Sequence, residues 1–286
     1  MIFKETGSYS MEIKDFIILS INSIHFSDKN NPNNDPEGPG RIFTWLNEKL
    51  EEVRRRKMKA ILIYHLPHGE ITIPLSSNRF WLKRFEDTYI SIIKRNFDII
   101  SGIYTGHIHI SGMTASPETG SLTKDLEKYI TLELEQLKRA SVDGWQVMNR
   151  AVSPILGNNP GFTIYYYYDS IDYPSYYEEY TFRLVSSYDR TDSPLNYWTY
   201  LYNSREDLGL QNLSPKSISE FLKSVEKDMK KFVKYMMYRM GKEPNSERLS
   251  NTIEKIRSKR KLYSTGSDKY EGCCSPLIRY VKKNNH

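Results

Sequence analysis

Ala60-Ile61-Leu62-Ile63-Tyr64-His65-Leu66-Pro67-His68-Gly69 and, further on, Ile99-Ile100-Ser101-Gly102-Ile103-Tyr104-Thr105-Gly106-His107-Ile108-His109 are the stretches that decide the fold. Each begins as a short apolar run rich in β-branched residues and ends in imidazoles. Continuous apolar runs of this length read as strands of a parallel-type sheet, covered on both faces. Four of the six histidines in the chain fall in these two stretches. Where helices pack on a sheet, ligands collect beyond the carboxyl ends of the strands, where both imidazole groups fall. Neutral imidazoles at such a place are candidate metal ligands.

Working outward, the same alternation continues. Phe16-Ile17-Ile18-Leu19-Ser20-Ile21 reads as another buried strand, and Asn30 to Gly40 as a loop with several turns. Ile42, Trp45, Leu46, Leu50 and Val53 recur at helical spacing, and Arg54-Arg55-Arg56 closes that helix where cations suit the dipole. Trp81, Phe85, Tyr89, Ile92 and Ile93 mark a second amphipathic helix between the two histidine-bearing strands. Strand and helix in turn argue for an α/β architecture.

Beyond a turn-rich Thr114–Gly120, Leu126, Ile130, Leu134 and Leu137 indicate a helix inserted at about 121–140. Gly161-Phe162-Thr163-Ile164-Tyr165 returns to strand, and Tyr165–Tyr168 reads as a strand buried on both sides or at an edge rather than a stacking platform for bases. From about Ser193 onward the chain reads as helical, with Trp198, Leu201, Tyr202 and Leu208 on one face. Ser214-Pro215 is an N-cap with proline at the first helical position. A long apolar stripe follows from Ile218 through Val225 and Phe232 to Met240 and ends at Gly241.

Composition narrows the class. The chain has 286 residues, 38% hydrophobic and 27% charged, and a net charge of +6, enough for a sizeable core. The surplus lysines cluster at Lys223–Lys234 and Lys255–Lys261, and read as solvated helix faces; no nucleic-acid motif accompanies them. No run approaches the ~20 apolar residues of a membrane-spanning helix. The start, Met1-Ile2-Phe3-Lys4, lacks the pattern of a secretory signal. The only cysteines, Cys273 and Cys274, are adjacent, so they provide no disulfide framework and no metal-ligand spacing.

The histidine stretches resemble two elements of the calcineurin-like metallophosphoesterases, "His-apolar-Pro-Pro-Gly" and "Gly-His-x-His". Further motifs are similar to the acid sphingomyelinase-like branch. Asn34-Asp35-Pro36 precedes a helix with Trp45-Leu46, and Ser153-Pro154 leads through Asn158-Asn159-Pro160-Gly161-Phe162 into a strand. Asp172, Tyr177, Trp198-Thr199-Tyr200, Leu208-Gly209-Leu210 and Leu213-Ser214-Pro215 then follow in the order of that branch's C-terminal part. The resemblance covers nearly the whole chain, as the C-terminal portion of a longer architecture.

It implies part of a metallophosphoesterase β-sandwich flanked by helices. Residues 1–170 would form the C-terminal half of the catalytic domain, and 171–286 a helical C-terminal subdomain. It implies a metal-dependent phosphodiester hydrolase with two zinc ions. His65 and His107 would ligate one ion and His109 the other, with His68, Asn158 and Asn159 near the substrate. The substrate would be a phosphodiester, of phospholipid or nucleotide type. Relatives of this kind are often secreted or lysosomal.

The family's earlier ligands have no counterpart here. No histidine lies two residues after an aspartate, and Asn285-His286 at the end is the only Asn-His. The bridging carboxylate and general acid are therefore lacking, so no catalytic residue is assigned. Three imidazoles divided over two ions fall short of the three or four ligands that hold each zinc. The expectation is a chain incomplete or inactive alone, with an N-terminal half as possible complementing partner. Alternatives are a non-catalytic binding module on a phosphoesterase scaffold, or an unstable remnant with an exposed sheet edge. In these the histidines are inherited but idle. For His68, which stands where the family has proline, a solvent-exposed loop position is set against a role as extra ligand or acid.

Overall fold

The computed structural model describes residues 2–27, 29–30, 35–73, 76–114, 146–154, 158–168, 170, 172–182, 197–244, 250–251 and 254. The helix expected at about 121–140, Lys255–Lys261 and the two cysteines lie outside the described residues.

A short helix α1 (Ile2–Thr6) leads into β1 (Tyr9–Ile13) and β2 (Phe16–Ile21). The long helix α2 (Gly38–Arg55) then returns the chain to β3 (Lys59–Tyr64). A hairpin of β4 (Glu70–Ile73) and β5 (Ser76–Arg79) precedes α3 (Lys83–Arg95) and β6 (Ile100–Thr105). Next come β7 (Gly112–Thr114) and β8 (Gln146–Met148). These make a six-stranded sheet in the order β1-β2-β3-β6-β8-β7. The four central strands run parallel, and the outermost strand at each edge is antiparallel to its neighbour. The molecule is thus mixed α/β with a mostly parallel sheet, as the alternation of runs predicts.

Alternation within the strands decides which face is covered. Ile17, Leu19 and Ile21 of β2 and Ala60, Leu62 and Tyr64 of β3 are buried with Ile42, Leu46, Leu50 and Val53 of α2 and Tyr89, Ile92 and Ile93 of α3. Near the middle of the sheet, Ile100 to Ile103 of β6 are buried in succession, the pattern of a strand covered on both faces.

A second sheet contains β9 (Gly161–Tyr166), β10 (Tyr176–Phe182) and β11 (Trp198–Asn203), antiparallel in the order β11-β10-β9. The domain boundary expected at residue 170 falls between two strands of this sheet. Tyrosines join the sheets: Tyr165 packs on Tyr104 with ring centroids 4.4 Å apart, and Tyr167 meets the edge of Phe16 at 5.0 Å. The edge position expected for the tyrosine run is found, since β9 has β10 on one side and no strand on the other among the described residues.

The helical reading from Ser193 is corrected. Trp198–Asn203 is a strand paired with β10. The spacing of Trp198, Leu201 and Tyr202 imitates a helix face, but the aromatic and β-branched residues of that segment suit a pleated surface once a partner strand lies beside it. Helix begins at α4 (Pro215–Lys227), capped by the Ser214 side chain accepting from Ser217 N–H. The long apolar stripe from Ile218 to Met240 is carried by two helices. Asp228 has extended backbone (φ −127°, ψ 105°) and caps a separate α5 (Met229–Arg239) by accepting from the N–H groups of Lys230 and Lys231. Both helices share a core with Tyr177, Leu201 and Tyr202 of the second sheet.

Candidate metal centre

β3 and β6 are adjacent and parallel, with Ile63 opposite Tyr104, so both histidine stretches leave the sheet at one end. The Gly106 N–H donates to the His65 carbonyl at 3.1 Å, tying the two departing loops together. A Cβ at Gly106 would lie 3.5 Å from His65 Nδ1, in ordinary van der Waals contact. The outcome is direct: His65 Nε2 and His107 Nδ1 stand 3.2 Å apart. His65 is exposed and His107 half-buried, with the Phe80 ring edge-on to His107 at 4.7 Å.

The loop carrying His107 and His109 is held in an unusual backbone shape. Both residues lie in the left-handed region, at φ 70° and 63°. That region costs an L-residue roughly 1–2 kcal/mol, which the surroundings must offset. Between them the Ile108 N–H donates to the Gly106 carbonyl at 2.8 Å, and the Ile108 side chain packs on Met148. Farther along, Arg239 Nε donates to the Ser111 carbonyl at 2.9 Å and Ser111 N–H to the Arg239 carbonyl at 3.1 Å. The last turn of α5 thus anchors the histidine loop.

Asn158 and Asn159 serve the same frame. The buried Asn158 donates through Nδ2 to the His109 carbonyl (3.4 Å), and Asn159 Nδ2 to the Gly241 carbonyl (3.1 Å). His68 is not the solvent-exposed loop residue expected. It is 1% exposed, with Nδ1 2.7 Å from the Tyr64 hydroxyl and its ring against Trp81 and Tyr89. Its side chain turns into the helix-covered core because Tyr64 and Tyr89 offer it a hydroxyl network there.

Electrostatics favour a neutral imidazole at His107. Burial first, then the neighbouring His65, His109 and Lys29, holds the His107 imidazole below the ordinary histidine range. A neutral ring keeps a lone pair for a ligand. Two nitrogens each bound to one tetrahedral zinc stand about 3.3 Å apart, so the His65–His107 spacing suits two ligands of one ion. The number does not suit it. Among the described residues no group of three or more His, Cys, Asp or Glu side chains is placed to hold a metal, and His109 Nδ1 is buried without a hydrogen-bond partner. By themselves these residues do not complete a zinc shell.

Three features of the site carry no recognisable signal in sequence: the Phe80 wall, the Arg239 anchor and a buried Arg150–Glu179 pair behind it. Each depends on contacts between segments far apart in the chain.

No protein-family model matches the chain. Curated relatives do. It is 24% identical over 245 residues to the bovine cyclic GMP-AMP phosphodiesterase SMPDL3A, covering 82% of this chain and 49% of that protein. It is 25% identical over 242 residues to sphingomyelinase phosphodiesterase C of Dictyostelium discoideum, covering 82% and 51%. Bovine sphingomyelin phosphodiesterase is 22% identical over 216 residues, covering 74% and 29%. The chain spans about half the length of the first two, and less of the third. No helix among the described residues is long and apolar enough to cross a membrane. The homologues of this chain are acid sphingomyelinase-like phosphodiesterases.

Proposed function

We propose that the chain is the later part of a metal-dependent phosphodiester hydrolase of the sphingomyelinase-like type, in which a sandwich of two sheets flanked by helices carries the site. One observation bears most of the weight. His65 and His107, delivered by neighbouring parallel strands, face each other at 3.2 Å, the spacing of two ligands on one zinc. A bound two-zinc centre in such enzymes supplies Lewis acidity and an activated water for attack on phosphorus. His65 and His107 would hold one such ion and His109 the other. His68 shapes the first loop from the core side. Asn158 holds the carbonyl of His109, so it acts on the site by position. The remaining ligands would be supplied by a complementing polypeptide, without which the chain would be inactive. The substrate class is a phosphodiester, of phospholipid or nucleotide type.

The test is complementation. The chain is combined with a polypeptide carrying the complementary half, zinc is added, and hydrolysis of bis(p-nitrophenyl) phosphate is followed. Zinc-dependent turnover that His107→Ala reduces by two orders of magnitude or more supports the reading. Turnover indifferent to His107→Ala contradicts it.

A further inference from the structure

The outer face of the second sheet is aromatic and open. Tyr177, Glu179 and Thr181 of β10 are buried toward the interior, so the alternate residues Tyr176, Glu178, Tyr180 and Phe182 point away from it. Register sets Phe162 and Tyr200 on either side of Tyr180, and Tyr166 beside Tyr176. The rings meet accordingly. Phe162 stacks on Tyr180 at 5.1 Å, Tyr166 stacks on Tyr176 at 4.6 Å, and Trp198 lies 5.1 Å from Phe162. Phe162, Ile164, Tyr168 and Tyr200 remain 39%, 38%, 69% and 47% exposed. Contiguous apolar surface, as opposed to scattered single residues, marks an interaction site.

A carboxylate stands in the middle of this face. Glu178, paired with Ile164 across the strands, accepts the hydroxyls of Tyr166 and Tyr180 on the same oxygen, Oε2, at 2.9 and 3.1 Å. Among the described residues no cation pairs with Glu178, and its Oε1 accepts no hydrogen bond. The Glu178 hydrogen bond pushes the Tyr166 phenol up to about 12. Burial first, then Asp207, Glu178 and Glu206, pushes the Tyr200 phenol to the same range. Three carboxylates thus act on one side of the face. Lys234, 3.9 Å from Asp207, offsets only that one.

This chemistry selects the ligand. The hydroxyl hydrogens of Tyr166 and Tyr180 are committed to Glu178, so the centre of the face offers acceptor oxygens, negative charge and π-rings. Guanidinium and ammonium groups carry donors and no acceptor, and are attracted to aromatic faces. Nucleic-acid bases would find rings to stack on, but their phosphates would meet the carboxylates. At the margin the molecule already makes a contact of the favoured kind: the Arg205 guanidinium lies 5.6 Å from the centre of the Tyr176 ring.

We propose that the outer face of the second sheet, centred on Glu178, is a docking surface for an arginine- and lysine-rich segment of a partner protein. The cationic side chains lie over the exposed rings, and one of them reaches Glu178 Oε1. The surface acts independently of the metal centre.

The experiment titrates the full chain, in buffer with a chelator, into fluorescein-labelled nona-arginine and follows anisotropy. Nona-glutamate and a twelve-residue oligothymidylate serve as competing ligand classes. Glu178→Gln and Tyr200→Ala alter the face. Glu51→Gln, an exposed position on α2, changes the net charge by the same amount as Glu178→Gln but elsewhere. Thermal melts establish that the variants fold. The expected result is saturable binding of nona-arginine that weakens with added salt, with quenching of tryptophan fluorescence that Trp198→Phe abolishes. Affinity should fall at least tenfold in Glu178→Gln and at least threefold in Tyr200→Ala, and less than twofold in Glu51→Gln. Equal loss in Glu178→Gln and Glu51→Gln would reduce the effect to overall charge and overturn the assignment. So would the absence of saturable binding, tighter binding of the oligothymidylate or nona-glutamate, or a dimer in sedimentation that Tyr200→Ala dissociates.

Discussion

Arg150 Nε donates to Glu179 Oε2 at 3.0 Å, and the two side chains are 0% and 2% exposed. The pair sits between the sheets. Arg150 also donates to the Tyr180 carbonyl at 2.7 Å, and Thr163 Oγ1 to Glu179 Oε1 at 3.1 Å. Burial pushes the Glu179 carboxyl above its ordinary range, and Arg150 pulls it back. The ion pair thus links the segment after β8 to β9 and β10, directly behind the histidine loop.

Removing one partner leaves a charge stranded in the core. Arg150→Met should lower unfolding free energy by about 3–5 kcal/mol in urea denaturation, whereas Arg150→Met combined with Glu179→Leu should recover much of the loss. Equal destabilisation by the single and double variants would show that packing around the pair, and not its charge, matters.

Glycines at positive φ separate backbone strain from crowding. Gly209 (φ 74°) has open space where a Cβ would go, while a Cβ on Gly241 (φ 71°) would run into the Arg150 guanidinium. Gly209→Ala should cost about 1–2 kcal/mol for the left-handed backbone alone. Gly241→Ala should exceed it by at least about 1 kcal/mol, because Arg150 must shift. Matching thermal melts for the two variants would refute the crowding argument.

Asp228 divides the C-terminal helices. With its carboxylate capping two N–H groups of α5, Asp228→Ala should cost about 1 kcal/mol, and Asp228→Asn much less. If chemical denaturation shows no change for Asp228→Ala, the break between α4 and α5 has another cause.

These contacts show where sequence is informative. The apolar runs of β2, β3 and β6 and the helical spacing of α2 and α3 state the core plainly, because β2, β3 and the two helices each bury one periodic face and β6 is buried almost throughout. The Ser214 cap and the Gly241 stop are equally local. By contrast, β10 and β11 mix tyrosine with glutamate, threonine and other residues without a clean apolar run, and their mutual pairing is what shows them as strands. Asp228 lies within an unbroken apolar stripe, so its cap is invisible until the backbone turns. At the site, the approach of His65 to His107 follows from two adjacent strands ending together. The burial of His68 does not follow, because it depends on hydroxyls of Tyr64 and Tyr89 that sequence does not place. His107 and His109 take left-handed backbone in a loop that Arg239 and Asn158 hold from distant segments of the chain.

The proposed zinc site would have three imidazole donors, His65, His107 and His109, and an unfinished ligand shell. Elemental analysis of the purified chain after dialysis against metal-free buffer checks this. We expect clearly less than one zinc per chain, falling further in His65→Ala. Two tightly retained zinc ions per chain would contradict it.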